Sequence, residues 1–137
     1  MSKRLMIIST SLLFFCSVFA AAPAPLINAV RADPPEIPVH VQTKLMLSAR
    51  IVSDAQHIPV AVHLLRLQWS GNEREVSRMW DDGSNGDRTK KDGVYTCTLK
   101  LKEPTIGLLS FRVEVKYKGS REPVRSQAIF VNVVGGS

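Results

Sequence analysis

Cysteine is nearly missing from this 137-residue chain, which has only Cys16 and Cys97. Cys16 falls in an apolar leader, so the protein that remains after leader removal has one thiol and no internal disulfide. Runs of Lys or Arg are missing too. The chain carries 18 basic and 12 acidic residues, and without Lys3 and Arg4 of the leader the balance is 16 against 12, a net +4. The basic residues are scattered along the strands and mixed with Glu103, Glu114 and Glu122, a pattern that argues against nucleic-acid binding and against a polybasic lipid site. No segment has a helical hydrophobic repeat. His40, His57 and His63 are isolated, with no second His or Cys at metal-ligand spacing. No Gly-x-Ser-x-Gly marks a nucleophile, and the glycines sit in hairpin turns, where they do not cradle a phosphate between strand and helix. Together these absences argue against an enzyme.

What is present begins with a leader. Residues 1–20 combine a basic start (Lys3, Arg4), an apolar stretch from Leu5 to Phe19 and small residues at the end, the pattern of a secretory signal. Val18 and Ala20 suit cleavage before Ala21. The competing reading is an uncleaved anchor, since Leu5 to Ala22 approaches the length of a bilayer span, although no anchoring charges or aromatics follow it. A lipoprotein signal at Cys16 is disfavoured by Phe15 just before it. Residues 21–38 contain five of the eight prolines and read as an extended linker or arm. The folded unit is then expected over 39–135.

From Val39 the pattern has period two. Leu45, Leu47, Ala49 and Ile51 share one face of a strand over Thr43 to Ser53, with Lys44, Ser48 and Arg50 opposite. His63 to Ser70 places Leu65, Leu67 and Trp69 against Arg66 and Gln68, and Gly71-Asn72 turns the chain into Glu73 to Trp80. Val94 to Leu101 sets Tyr95, Cys97, Leu99 and Leu101 on one face. Phe111, Val113, Val115 and Tyr117 do the same in the next strand, and a last strand lies around Val124 to Val134. With a short strand at Val39 to Val41 the count is about seven. Hydrophobic residues at 45% supply one core. The fold class is therefore all-β, an antiparallel two-sheet sandwich of immunoglobulin or fibronectin III kind, with an open barrel as the alternative. Tyr95-Thr96-Cys97 suggests the tyrosine-corner and disulfide signature. However, no cysteine on the strand from Thr43 can pair with Cys97, and two strands follow where one is expected, so Cys97 reads as an inert core residue.

The distinctive chemistry lies between Met79 and Leu101, in a loop packed with Asp, Asn and Gly. In one reading the carboxylates of Asp81, Asp82, Asp87 and Asp92 accept backbone N–H groups in Asx-type turns, with Gly83, Gly86 and Gly93 at positive φ. In the other, Asp82, Asp87 and Asp92 are ligands of a Ca²⁺, although the spacing is not that of an EF-hand and Arg88, Lys90 and Lys91 oppose a cation. The run Asp81-Asp82-Gly83-x-x-Gly86-Asp87-x-x-x-x-Asp92-Gly93-x-Tyr95-Thr96 resembles a loop signature of immunoglobulin-like and fibronectin III-like domains in secreted and surface proteins. The resemblance covers only about 16 residues, and Lys90-Lys91 depart from the small residues more usual there. It implies an exported setting and an accessory domain without an activity of its own.

Two functions follow as expectations. The first is a periplasmic or extracellular, non-enzymatic module that binds a protein or cell-surface partner or serves a structural part, with no stable membrane span after leader cleavage. The second is a carbohydrate- or small-ligand-binding module, with Trp80 beside the acidic loop as its contact.

Overall fold

The computed structural model describes residues 24–136. The secretory signal assigned to residues 1–20 and Cys16 lie outside the described residues. Nine strands follow one another: β1 (Ile27–Asp33), β2 (Glu36–Pro38), β3 (Thr43–Ile51), β4 (Pro59–Leu67), β5 (Glu73–Arg78), β6 (Val94–Leu101), β7 (Gly107–Tyr117), β8 (Val124–Arg125) and β9 (Ile129–Val134). No helix occurs among them. One sheet has the order β1-β3-β6 and the other β2-β9-β7-β4-β5, with β8 also on β7. All pairings are antiparallel except β2 on β9. Two separate sheets, not a closed or open barrel, form a β-sandwich.

The count exceeds seven because the first and the last strand of the chain are each divided. The first changes sheets: β1 lies on β3, and after Pro34-Pro35 the chain continues as β2 on β9. The last is broken at 126–128, where the Ser126 hydroxyl accepts the Val113 N–H at 2.9 Å and the Ser126 N–H donates to the Val113 carbonyl at 2.8 Å. That exchange fills the gap between β8 and β9, as a bulge requires.

The interior follows from period-two patterning. Leu45, Leu47, Ala49 and Ile51 of β3 meet Phe111, Val113, Val115 and Tyr117 of β7 across the core. Each such large apolar side chain contributes about 1.5–3 kcal/mol when fully buried. Cys97, opposite Leu47 on β6, is 1% exposed.

Three expectations need correction. The described part of the 21–38 linker is mostly strand, because Ile27 and Ile37 are buried core residues while Pro34 and Pro35 occupy the connection and Pro38 the end of β2, where no ladder N–H is needed. The short strand lies at Glu36–Pro38 and not at Val39 to Val41, where His40 has a φ of 63°. The strand expected over His63 to Ser70 is β4, Pro59–Leu67, with Trp69 in the turn beyond it; Leu65 and Leu67 share a face as expected, the outer one, because Val62 and Leu64 face the core. Both faces of this strand carry leucine, so alternation alone does not say which is buried. Arg66, on the inward row, ends in a double hydrogen bond to Glu103 at 2.9 and 3.0 Å, which pairs its charge at the end of the core.

Candidate functional site

The loop at 81–93 joins β5 of one sheet to β6 of the other. Its entry is fixed by Met79, buried in the core, and by Trp80, whose N–H and carbonyl exchange 2.9 Å hydrogen bonds with Thr96. The loop then folds back on the outer face of the three-stranded sheet. Gly86, at φ 90°, approaches so closely that a Cβ would stand 3.0 Å from Met46 Sδ and 3.1 Å from Thr98 Oγ1. Thr98 Oγ1 donates to the Asn85 carbonyl at 3.2 Å, pinning the tip, and Thr96 is buried beneath it.

Each aspartate of the loop holds backbone. Asp81 accepts from the N–H groups of Asp92 at 3.2 Å and Gly93 at 2.9 Å, closing the loop's base. Asp87, itself buried, accepts from Gly83 at 2.8 Å and Thr89 at 3.2 Å. Asp92 accepts from Val94 at 2.9 Å. Asp82 accepts from the Ser84 N–H at 2.9 Å and from the Ser84 hydroxyl. Gly83, Asn85, Gly86, Lys91 and Gly93 take the positive φ angles that these turns demand. Burial raises the Asp81 pKa above the usual aspartate value against the pull of its two amide donors, whereas the Ser84 hydroxyl and N–H lower that of exposed Asp82.

The structure brings together Asp81, Asp87 and Asp92, each with one carboxylate oxygen within 4.8 Å of the others. The sequence reading named Asp82, Asp87 and Asp92. Asp82 instead turns to its own Ser84, and Asp81 takes its place because it opens the loop directly across from Asp92 and Gly93. Three carboxylates supply part of the six to eight oxygens a Ca²⁺ takes. Both carboxylate oxygens of Asp81 and of Asp87, and Oδ1 of Asp92, already serve as acceptors for the loop's own amides.

Trp80 is half-buried, and the Arg78 guanidinium lies 4.4 Å from its ring centroid. The cavity beside it, bounded by Pro59, Val62, Asp81 and Tyr95, measures about 100 Å³. Ligand pockets for drug-sized molecules run to roughly 300–1,000 Å³, several times this volume, and the face of the indole is met by the Arg78 guanidinium.

The exposed aromatic group lies elsewhere. Trp69, in the turn between β4 and β5, is 101% exposed, and Leu108 on β7 and Phe130 on β9 are both more than half exposed. These three side chains border one concavity of about 260 Å³ with Leu67 and Ser110. A second concavity, of about 250 Å³, adjoins it past Ile106 and Arg74. Farther along the same sheet face the surface changes to ion pairs: Glu73 with Arg112 at 3.3 Å and Arg125 at 3.2 Å, Arg125 with Glu114 at 2.9 Å, and His63 with Glu75 at 2.7 Å. Sequence alternation marks Leu108 and Phe130 only as strand residues. What exposes them is which face of β7 and β9 turns outward.

The remaining titratable groups have plain environments. His57 pairs with Asp54 at 3.0 Å, and among the described residues no histidine bonds a serine, threonine or cysteine side chain. Burial raises the Cys97 thiol to a pKa of about 11, against a weaker opposing bond from Ser77. No protein family matches the chain by sequence, and no curated protein does either.

Proposed function

We propose that this chain is an exported, non-catalytic β-sandwich module that docks a protein or cell-surface partner through the apolar end of its five-stranded sheet. The observation that carries this reading is Trp69, a fully solvated indole with Leu108 and Phe130 beside it on an otherwise ion-paired face. Exposed aromatics grouped around a concavity are the side chains that dominate binding energy when a partner desolvates them. The leader at residues 1–20 and the resemblance of the Asp81 to Thr96 run to secreted accessory domains support the exported setting.

The test is affinity capture with the wild type and with Trp69→Ala/Phe130→Ala, after circular dichroism shows that both are folded. A partner held by the wild type and weakened at least about 30-fold in the variant supports the proposal. Equal retention by both proteins, or no partner for either, counts against it. Export is tested separately by N-terminal sequencing of the secreted protein, with Ala21 as the expected first residue.

A further inference from the structure

We propose that the outer face of the three-stranded sheet is a docking track for a linear acidic polysaccharide. Sheet register places Lys44 directly across from Lys100, Arg31 across from Ser48, and Arg50 across from Asn28. The core residues Leu45, Leu47 and Ala49 point inward, so these partners all face out, and all four cations are exposed. Among the described residues none of the four has a carboxylate within 4 Å; every ion pair lies on the five-stranded sheet or in the loops. Asp33, across from Met46, is the one acid that β1, β3 and β6 contribute to this face.

The result is two dibasic clusters, Lys44 with Lys100 and Arg31 with Arg50, toward opposite ends of β3 and separated by four to six residues, about 13–20 Å at roughly 3.3 Å per residue. Lys44 and Lys100 stand directly opposite and Arg31 and Arg50 diagonally, so like charges repel in both clusters, and an anion between them relieves that cost. The acidic loop stands on Met46 and Thr98, so a ridge crosses β3 and β6 between the two clusters, and the open path runs along β1, past Asp33. A flat bilayer meets that ridge, with its exposed Asp82, Arg88, Lys90, Lys91 and Asp92, before it meets the sheet. A chain beside the ridge reaches both clusters. The outward residues at the levels between them, Met46, Thr98, Asp33, Ser48 and Thr96, include no aromatic, which disfavours stacked bases. This face lies on the opposite side of the sandwich from Trp69, so the two proposals stand or fall separately.

The probe is a fluorescently labelled heparin octasaccharide, titrated with the full protein at about 50 mM salt and again at about 200 mM, with binding expected to weaken as counterion release requires. Lys44→Glu/Lys100→Glu and Arg31→Glu/Arg50→Glu are each expected to reduce affinity at least about tenfold, while Lys116→Glu/Lys118→Glu on the other sheet leaves it within about threefold. Absence of binding overturns the proposal, as does an equal loss in all three variants. Tighter binding to single-stranded DNA or to phosphatidylglycerol vesicles than to the octasaccharide overturns it in favour of those partners.

Discussion

The Tyr117 hydroxyl donates to the Val52 carbonyl at 2.8 Å and joins the two sheets. Tyr117 ends β7 of the five-stranded sheet, and Val52 follows β3 of the three-stranded one. His57 closes over this bond, its ring edge-on to Tyr117 with centroids 5.7 Å apart. Tyr117→Phe keeps the packing and removes the donor, so it is expected to cost about 1 kcal/mol, a fall in Tm of about 4–8 °C for a domain of this size. Urea denaturation of the two proteins measures it. An unchanged midpoint would mean that water serves the Val52 carbonyl equally well.

Gly86 and Gly71 separate backbone strain from steric contact. Both have positive φ, but a Cβ at Gly71 meets nothing within 4 Å, whereas one at Gly86 meets Met46 and Thr98. Gly71→Ala is expected to cost about 1 kcal/mol and Gly86→Ala about 2 kcal/mol or more. Met46→Ala should recover part of the second loss in the double variant. Equal costs at the two glycines would show that the loop tip does not rest on the sheet.

Cys97 titrates far from neutrality. With its thiol raised to about 11, only about one molecule in a thousand is thiolate at pH 8, so modification by a thiol reagent should proceed no faster than unfolding. The folded value lies above the ordinary 9.0, so the stability it contributes is full below pH 9 and is lost as pH rises through about 11. Rapid labelling of the native protein at pH 8 would contradict this burial.

Asp82 shapes the acid side of the stability curve. Its folded pKa is lowered below 3.8 by Ser84, so its contribution is present above that pH and disappears as pH falls through the lowered value. Asp81, raised by burial, acts in the opposite sense and loses its contribution as pH rises through its folded value. Asp82→Ala should therefore flatten the stability loss below pH 3.8, and Asp81→Asn should not. Acid titration followed by circular dichroism distinguishes them.

Calcium is expected to leave the Tm unchanged, because the loop's carboxylates already hold its backbone. Thermal unfolding in chelator and in rising Ca²⁺ tests this. A bound ion would raise the Tm with the logarithm of its concentration, and that rise should vanish in Asp81→Ala/Asp87→Ala.

The sequence by itself determined the all-β class, the inward faces of β3, β6 and β7, the burial of Cys97 and a turn-rich acidic loop. In each case a local rule is sufficient: strict alternation shows one apolar face, and Asp, Asn and Gly offer few conformations besides turns. Tertiary structure alone decided the rest. Proline counting could not show that Ile27 and Ile37 enter the core, because an edge strand tolerates proline wherever its N–H needs no partner. Alternation could not choose the buried face of β4, since leucine stands on both. Spacing could not rank Asp81 above Asp82, because adjacent carboxylates diverge and only the closing of the loop on Asp92 and Gly93 selects one. The four cations of the three-stranded sheet lie up to 69 positions apart in the chain, from Arg31 to Lys100, and only strand register gathers them. Register is a long-range property, set by which strands pair, and no window along the sequence contains it.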